Sequence, residues 1–329
     1  MRTFKILLLF LLLILLSAIA LGTWQVTRPL GLDAERVSFT IPAGSGLRAT
    51  AQVIEAAGIH FPAWQLSLLG RMMGHSSRIK AGSYEVTQGT TVLLLLEKII
   101  NGDVTQGQVV LVEGRTFRQF RSVLDQNPDL RHDTLSLSDS EILKRLQTSE
   151  THPEGLFFPD TYLFDKGSSD LDVLRRAYRA MQVHLAEAWQ ARAPDLRLKT
   201  PYELLILASI AEKETGLAAD RPGIAAVFSN RLKRGMPLQT DPTVIYGLGE
   251  RFDGNLRRAD LTTDTPWNTY TRGGLPPTPI AMPGLSSLQA ASRPPATDML
   301  YFVARGDGSS EFSSNLADHN RAVARFQKR

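Results

Sequence analysis

Thr200-Pro-Tyr-Glu-Leu-Leu-Ile-Leu-Ala-Ser-Ile-Ala-Glu-Lys-Glu-Thr215 begins as a core helix and ends as something less ordinary. Thr200 is placed as an N-cap, Pro201 at the first helical position and Glu203 three residues after the cap. Leu204 to Ala211 is apolar nearly all round, so the helix should be buried. Glu212 and Glu214 then continue it. A carboxylate on a buried helix is costly unless it is paired or opens onto a cleft. The two acids are therefore the first functional candidates, with a surface ion pair as the plainer reading of either.

Residues two apart on a helix point nearly opposite ways, so the two carboxyls cannot form one acid/base dyad. Neighbours three and four positions away decide their surroundings. Around Glu214 these are Ile210, Ala211, Leu217 and Ala218; around Glu212 they are Ala208, Ser209, Thr215 and Gly216. The apolar set should raise the pKa of Glu214 more, keeping it protonated near neutrality as a general acid.

Downstream, Pro222 to Arg234 carries a second helical pattern closed by Gly235. Met236 to Gly247 and Pro266 to Pro277 read as rigid loops, stiffened by Pro237, Pro242 and Pro266. They bring together Gln239, Thr240, Asp241, Tyr246, Asn268 and Tyr270. Aromatic rings with amides and carboxylates are the groups that hold sugars. A well-packed loop with capped turns has the same composition. His319 is a further residue that could reach such a site, or serve as a structural histidine.

Upstream, Val37–Ile41 alternates as a half-buried strand, Pro42–Gly46 turns, and Leu47–Ala57 has helical spacing. Trp64–Met73 is a second helical stretch, Lys80–Val86 a second strand, and Val92–Ile100 an apolar helix stopped by Asn101-Gly102. The strand–helix–helix–strand order would suit a small glycan-binding module or a spacer. Val109–Val112, Glu113-Gly-Arg-Thr116 and a helix from Phe117 to Leu124 echo it. Ser138–Leu146 and Leu171–Trp189 are helical, while Glu154–Tyr162 is an aromatic-rich loop or edge strand.

Ile6 to Trp24 is apolar over 19 residues, enough to cross a bilayer core. Arg2 and Lys5 ahead of it predict a cytoplasmic N-terminus. Ala18-Ile-Ala20 would pass as a signal-peptidase site. The apolar run continues beyond it, which favours a retained anchor, with the rest of the chain outside the cytoplasm.

The net charge of +4 on 329 residues is too small to argue for nucleic acid. With no cysteine, thiolate nucleophiles, zinc ribbons and disulfides are excluded. His60, His75, His132, His152, His184 and His319 show no metal-ligand spacing, and there is no Gly-x-Ser-x-Gly or Walker A stretch. No metal or cofactor is expected. The fold class is α+β.

Leu207-Ala-Ser-Ile-Ala-Glu-Lys-Glu-Thr215, Ala226-Val-Phe-Ser-Asn-Arg-Leu232, Leu238-Gln-Thr-Asp-Pro-Thr-Val-Ile-Tyr-Gly247, Asn268-Thr-Tyr270, Gly274-Leu-Pro-Pro277 and Tyr301-Phe-Val303 occur in one order. Together they closely resemble the membrane-anchored endolytic murein (peptidoglycan) transglycosylase family, MltG/YceG-like. Ala211 departs from the larger aliphatic residue expected there. The expected division is a tail of residues 1–5, a transmembrane helix 6–24, a linker 25–36, a module 37–108 that the resemblance implies is LysM-like, and a catalytic domain 109–329. It implies an inner-membrane protein with a periplasmic catalytic domain, acting on nascent glycan strands, with peptidoglycan synthases as candidate partners. The cut would fall between N-acetylmuramic acid and N-acetylglucosamine and leave a 1,6-anhydro end. Glu214 corresponds to the family's catalytic Glu.

A lytic cleavage needs one carboxyl, since the attacking hydroxyl belongs to the sugar; a hydrolase needs two. The alternatives are a hydrolytic muramidase and a non-catalytic, membrane-tethered glycan-binding scaffold.

Overall fold

Residues 2–75 and 78–327 are described by the computed structural model. They fall into two units. One runs to Gly107 and takes back Leu163–Ser168; the other holds Gln108–Tyr162 and continues from Ser169 onward. Met1, the first residue of the expected tail, and residues 328–329, the end of the expected catalytic domain, lie outside the described residues.

The first unit starts with α1 (Arg2–Thr27), which runs without a break through the expected tail. Leu9–Thr27, of 19 residues and mean hydropathy 2.2, is long and apolar enough to cross a membrane. Then follow β1 (Gly31–Leu32), β2 (Arg36–Ile41), α2 (Leu47–Ala56), β3 (Ile59–His60), α3 (Ala63–Met72), β4 (Gly82–Thr87) and α4 (Val92–Asn101). The strand–helix–helix–strand order read from the pattern is present, with the short β3 added. β2 and β4 pair antiparallel with Phe39 opposite Tyr84, whose rings stack at 5.6 Å. The period of two places Val37, Phe39 and Ile41 on one face, where they meet Ala51, Ile54, Leu66, Leu95, Leu96 and Ile99 in one core. Burying each large side chain contributes roughly 1.5–3 kcal/mol. The Thr91 hydroxyl caps α4 by accepting from Leu94 N–H at 3.2 Å, and Gly102 ends it with a left-handed φ of 72°.

Strand β5 (Gln106–Val110) leads into the second unit with α5 (Phe117–Asp125), α6 (Asp139–Leu146), β6 (Thr161–Asp165), α7 (Asp170–Gln190), α8 (Pro201–Glu214) and α9 (Arg221–Lys233). β5 pairs with β6. After α9 come α10 (Asp241–Leu248), α11 (Arg258–Thr262), α12 (Leu285–Ser292), the antiparallel hairpin β7 (Tyr301–Ala304) and β8 (Ser310–Ser313), and α13 (Leu316–Phe326).

Helix α8 is the axis of this unit. Its residues Leu204 to Glu212 are all buried, enclosed by α7, α9, α10 and α12. The start forms as the sequence dictates, with Glu203 N–H donating to the Thr200 hydroxyl at 3.1 Å. One stretch departs from expectation. Asp241–Leu248, read as part of a rigid loop, is helix α10. The reason is that Pro242 occupies the first turn, where its missing N–H costs nothing and its fixed φ already suits a helix.

Candidate active site

Glu214 is the last residue of α8, because Thr215 leaves the helix with φ −146° and ψ 137°. The expected contacts with Leu217 and Ala218 along one helical face are therefore not what surrounds it; Leu217 is 41% exposed. The environment comes instead from other segments. The Thr240 hydroxyl, just before α10, donates to Glu214 Oε1. Thr240, Thr243 and Thr269 are all buried. Thr240 N–H donates to Thr269 Oγ1 at 3.1 Å, and the Thr243 and Thr269 hydroxyls lie 2.9 Å apart.

The Glu214 carboxyl is pushed up to about 7, chiefly by burial. The Thr240 hydrogen bond opposes the rise, the charge of Asp241 adds to it, and the Arg231 guanidinium opposes it. The C-terminal end of α8 adds no help to an anion, since its carbonyls carry partial negative charge.

An open cavity of about 380 Å³ adjoins this carboxyl, walled by Phe228, Arg231, Leu238, Gln239, Asp241, Tyr270, Tyr301, Phe302, Leu316 and His319. The Tyr270 hydroxyl donates to Asp241 Oδ1 at 2.6 Å. Gln239 is exposed on this wall and holds a left-handed φ of 50°, sparsely populated for a residue with a side chain. Arg231 is buried on α9, with Nε donating to Leu300 O and Nη1 to Leu238 O, each at 2.8 Å. His319 stacks on Tyr301 with ring centres 5.1 Å apart, and burial lowers its pKa, helped by Arg231.

Gln239, Thr240, Asp241 and Tyr270 are thus gathered around Glu214. Tyr246 and Asn268 are not. Asn268 is fully buried, and its amide nitrogen donates to the carbonyls of Asp260, Leu261 and Thr263 at 3.3, 3.1 and 2.7 Å. Its Oδ1 accepts from Tyr270 N–H at 2.8 Å. It braces the loop that presents Tyr270, a use of an amide that composition cannot tell from sugar binding.

Tyr246 faces a different cavity, of about 550 Å³, and its hydroxyl donates to Glu154 Oε2 at 3.1 Å. Its ring meets Trp267 edge-on at 5.6 Å. Glu154 also accepts from Phe117 N–H at 2.9 Å, and burial raises its carboxyl to about 7. The sequence reading passed over it; the signal was an acid at the head of an aromatic-rich loop.

Glu212 takes the opposite side of α8. Its Oε1 pairs with Arg221 at 3.1 Å, and its Oε2 accepts from Gly284 N–H at 3.0 Å and the Ser287 hydroxyl at 2.7 Å. Arg221 also reaches Glu113 at 3.2 Å. Both Glu212 oxygens are taken up by protein donors, so this carboxyl braces the packing around α8. Among the described residues, Asp125, His132 and Asp170 come nearest to a metal-ligand arrangement, their ligand atoms within 4.8 Å of one another. Asp170, the first residue of α7 after its Ser169 cap, is already occupied: it accepts from the N–H groups of Asp133, Thr134 and Leu171 and from the Thr134 hydroxyl.

Comparison with known proteins places this geometry in context. A model of the YceG-like family matches residues 39–325. A Bacillus subtilis protein named endolytic murein transglycosylase is 32% identical over 307 residues, covering 88% of this chain and 84% of that protein. A Streptococcus pneumoniae protein of the same name is 28% identical over 326 residues, and the chain spans 58% of its length. The crystal structure of a YceG-like protein from Listeria monocytogenes aligns with a TM-score of 0.54 and 30% identity, over 87% of this chain and 99% of that one.

Proposed function

The chain belongs to the YceG-like family, and from that premise we propose that it is a peptidoglycan lytic transglycosylase with Glu214 as its acid and base. The observation that supports this most is the Glu214 carboxyl, held near 7 chiefly by burial and opening onto a cavity walled by aromatic and polar side chains. A carboxylic acid that is half protonated at neutrality can both give and take a proton.

In this reading, protonated Glu214 donates to the glycosidic oxygen between N-acetylmuramic acid and N-acetylglucosamine, and the bond to the muramyl C1 breaks. The resulting carboxylate then accepts the proton of the muramyl 6-hydroxyl as that oxygen bonds to C1, giving the 1,6-anhydro end. Atoms balance without water. The attacking group is already tethered to the reacting carbon, so proximity supplies what a second carboxylate would otherwise provide. Gln239, Asp241 and Tyr270 are proposed to hold sugar hydroxyl and acetamido groups along the wall.

The membrane assignment rests on α1, read as a retained single-pass anchor with its start in the cytoplasm and the catalytic unit in the periplasm. The residues 37–108 are proposed as a LysM-like glycan-binding module, and synthases of the same strands as partners.

One observation favours a second reading. Asp241 is close enough to Glu214 to raise its pKa, and a second carboxylate is what a hydrolytic muramidase would need. Mass analysis of digested peptidoglycan separates the two. Lytic cleavage leaves muramyl ends lighter by one water, hydrolysis leaves reducing ends, and a scaffold leaves the strands uncut. Glu214→Gln should abolish the anhydro product while the protein stays folded. Anhydro product from that variant, with its loss in Glu212→Gln, would move the role to Glu212.

A further inference from the structure

A helix on a protein surface normally presents polar side chains to water. α3 does not. Its inward face is ordinary, with Leu66 fully buried and Gln65 and Gly70 buried beside it. Its outward face carries Trp64, Leu68 and Met72, which are 60%, 47% and 76% exposed. Spaced four residues apart, they line up as one apolar stripe. Single exposed apolar residues need no explanation, but an aligned set headed by a tryptophan marks a surface meant to be covered.

Two further observations say by what. Gln65 Nε2 donates to Gln25 Oε1 at 2.7 Å, fastening α3 to the last turn of α1. Gln25 follows Trp24, which is 58% exposed and has the Arg28 guanidinium over its ring at 5.6 Å. One helical residue advances about 1.5 Å, so the fastening point of α3 sits at the level where the apolar span gives way to charge. An indole with a cation beside it is the usual furniture of a membrane–water boundary. The charge pattern agrees: between Glu55 and Glu85 there is no carboxylate, while Arg71, Arg78 and Lys80 are present. Such a segment is repelled by nothing on an anionic lipid surface.

We propose that α3 is an interfacial helix. Its Trp64–Leu68–Met72 stripe lies at the headgroup–acyl boundary of the bilayer that α1 enters, with Arg71 among anionic headgroups. The inference rests on reading α1 as a retained span and adds a second contact, so that the module is held against the membrane rather than swinging from a single tether. Once α1 is inserted, the stripe meets the same bilayer at high effective concentration, so even a modest apolar contact engages.

The absence of cysteine from the chain allows a direct test on the full protein. Leu68→Cys, Ser38→Cys and Leu13→Cys would each carry one environment-sensitive dye. Ser38 is exposed on the face of β2 turned away from the core, and Leu13 lies inside the apolar stretch of α1. Each labelled protein is placed, one copy per nanodisc, in phosphatidylcholine and phosphatidylglycerol with brominated acyl chains. The dye at position 68 should be blue-shifted and lose most of its emission to the bromines, as should the dye at 13, while that at 38 stays water-like. A water-like dye at 68 beside a quenched one at 13 would refute the docking of α3 while leaving the anchor standing. A blue-shifted dye at 68 that bromines do not quench would also refute it, pointing to a protein cover. An unquenched dye at 13 would sink the anchor, and the proposal with it.

Discussion

The hydroxyl of Thr240 donates to Glu214 Oε1 across 26 residues of sequence. This contact favours the ionised carboxyl, whereas burial and Asp241 disfavour it, and burial wins with a pKa near 7. If the protonated form starts the reaction, the rate should fall about tenfold per pH unit on the alkaline side of that pKa. Thr240→Val removes the donor, so the alkaline limb should move to higher pH as the overall rate drops. A limb that stays in place or moves down would mean that Glu214 is not the ionisation controlling the rate.

The same burial costs stability. With the native carboxyl raised from 4.5 to about 7, the folded state keeps a proton that the unfolded chain has lost. Stability then declines as pH climbs between those values, and above the upper one the penalty is complete, up to ~3 kcal/mol before solvent screening reduces it. Glu214→Gln should therefore raise the melting temperature near about pH 8 and change it little near about pH 5. Equal gains at both would show an unshifted carboxyl.

Glu212→Gln should behave in the reverse manner. It keeps the shape but strips the charge that Arg221 meets at 3.1 Å in a buried setting. Breaking one side of a buried pair costs roughly 3 kcal/mol or more. Denaturant titration should show that loss, with activity per folded molecule largely retained. Undiminished stability would mean the pair is worth nothing, and a selective loss of turnover would give Glu212 a chemical part.

Asn268→Ala leaves three loop carbonyls and the Tyr270 N–H without their partner. About 1–3 kcal/mol should be lost for buried groups left unsatisfied, seen as a lower melting temperature. Activity should suffer through the displaced Tyr270. A weaker Michaelis constant with unchanged stability would instead restore Asn268 as a direct contact to substrate.

Helix α8 was legible in the residues. Thr200, Pro201 and Glu203 announce its start, and the apolar run announces its burial. The opposite facing of Glu212 and Glu214 follows from the helical period. The first unit was legible for a similar reason, since alternation in Val37–Ile41 and Lys80–Val86 admits one core-facing set. Helix α10 was misjudged because two prolines and an Asp suit a turn as well as a helix start. Asn268 and Tyr246 were grouped with the site by composition, and only coordinates separate a side chain that braces a loop from one that faces a cavity.

What the sequence by itself determined was that two acids would extend a core helix and part to opposite sides of it. Which of them would be neutralised by a cation and which left beside an opening was decided by the tertiary structure. A residue's partners and dielectric come from segments far along the chain: Ser287, 75 residues away, reaches Glu212, and Thr240 reaches Glu214. Local period governs direction, but desolvation depends on everything that packs around the point a side chain reaches.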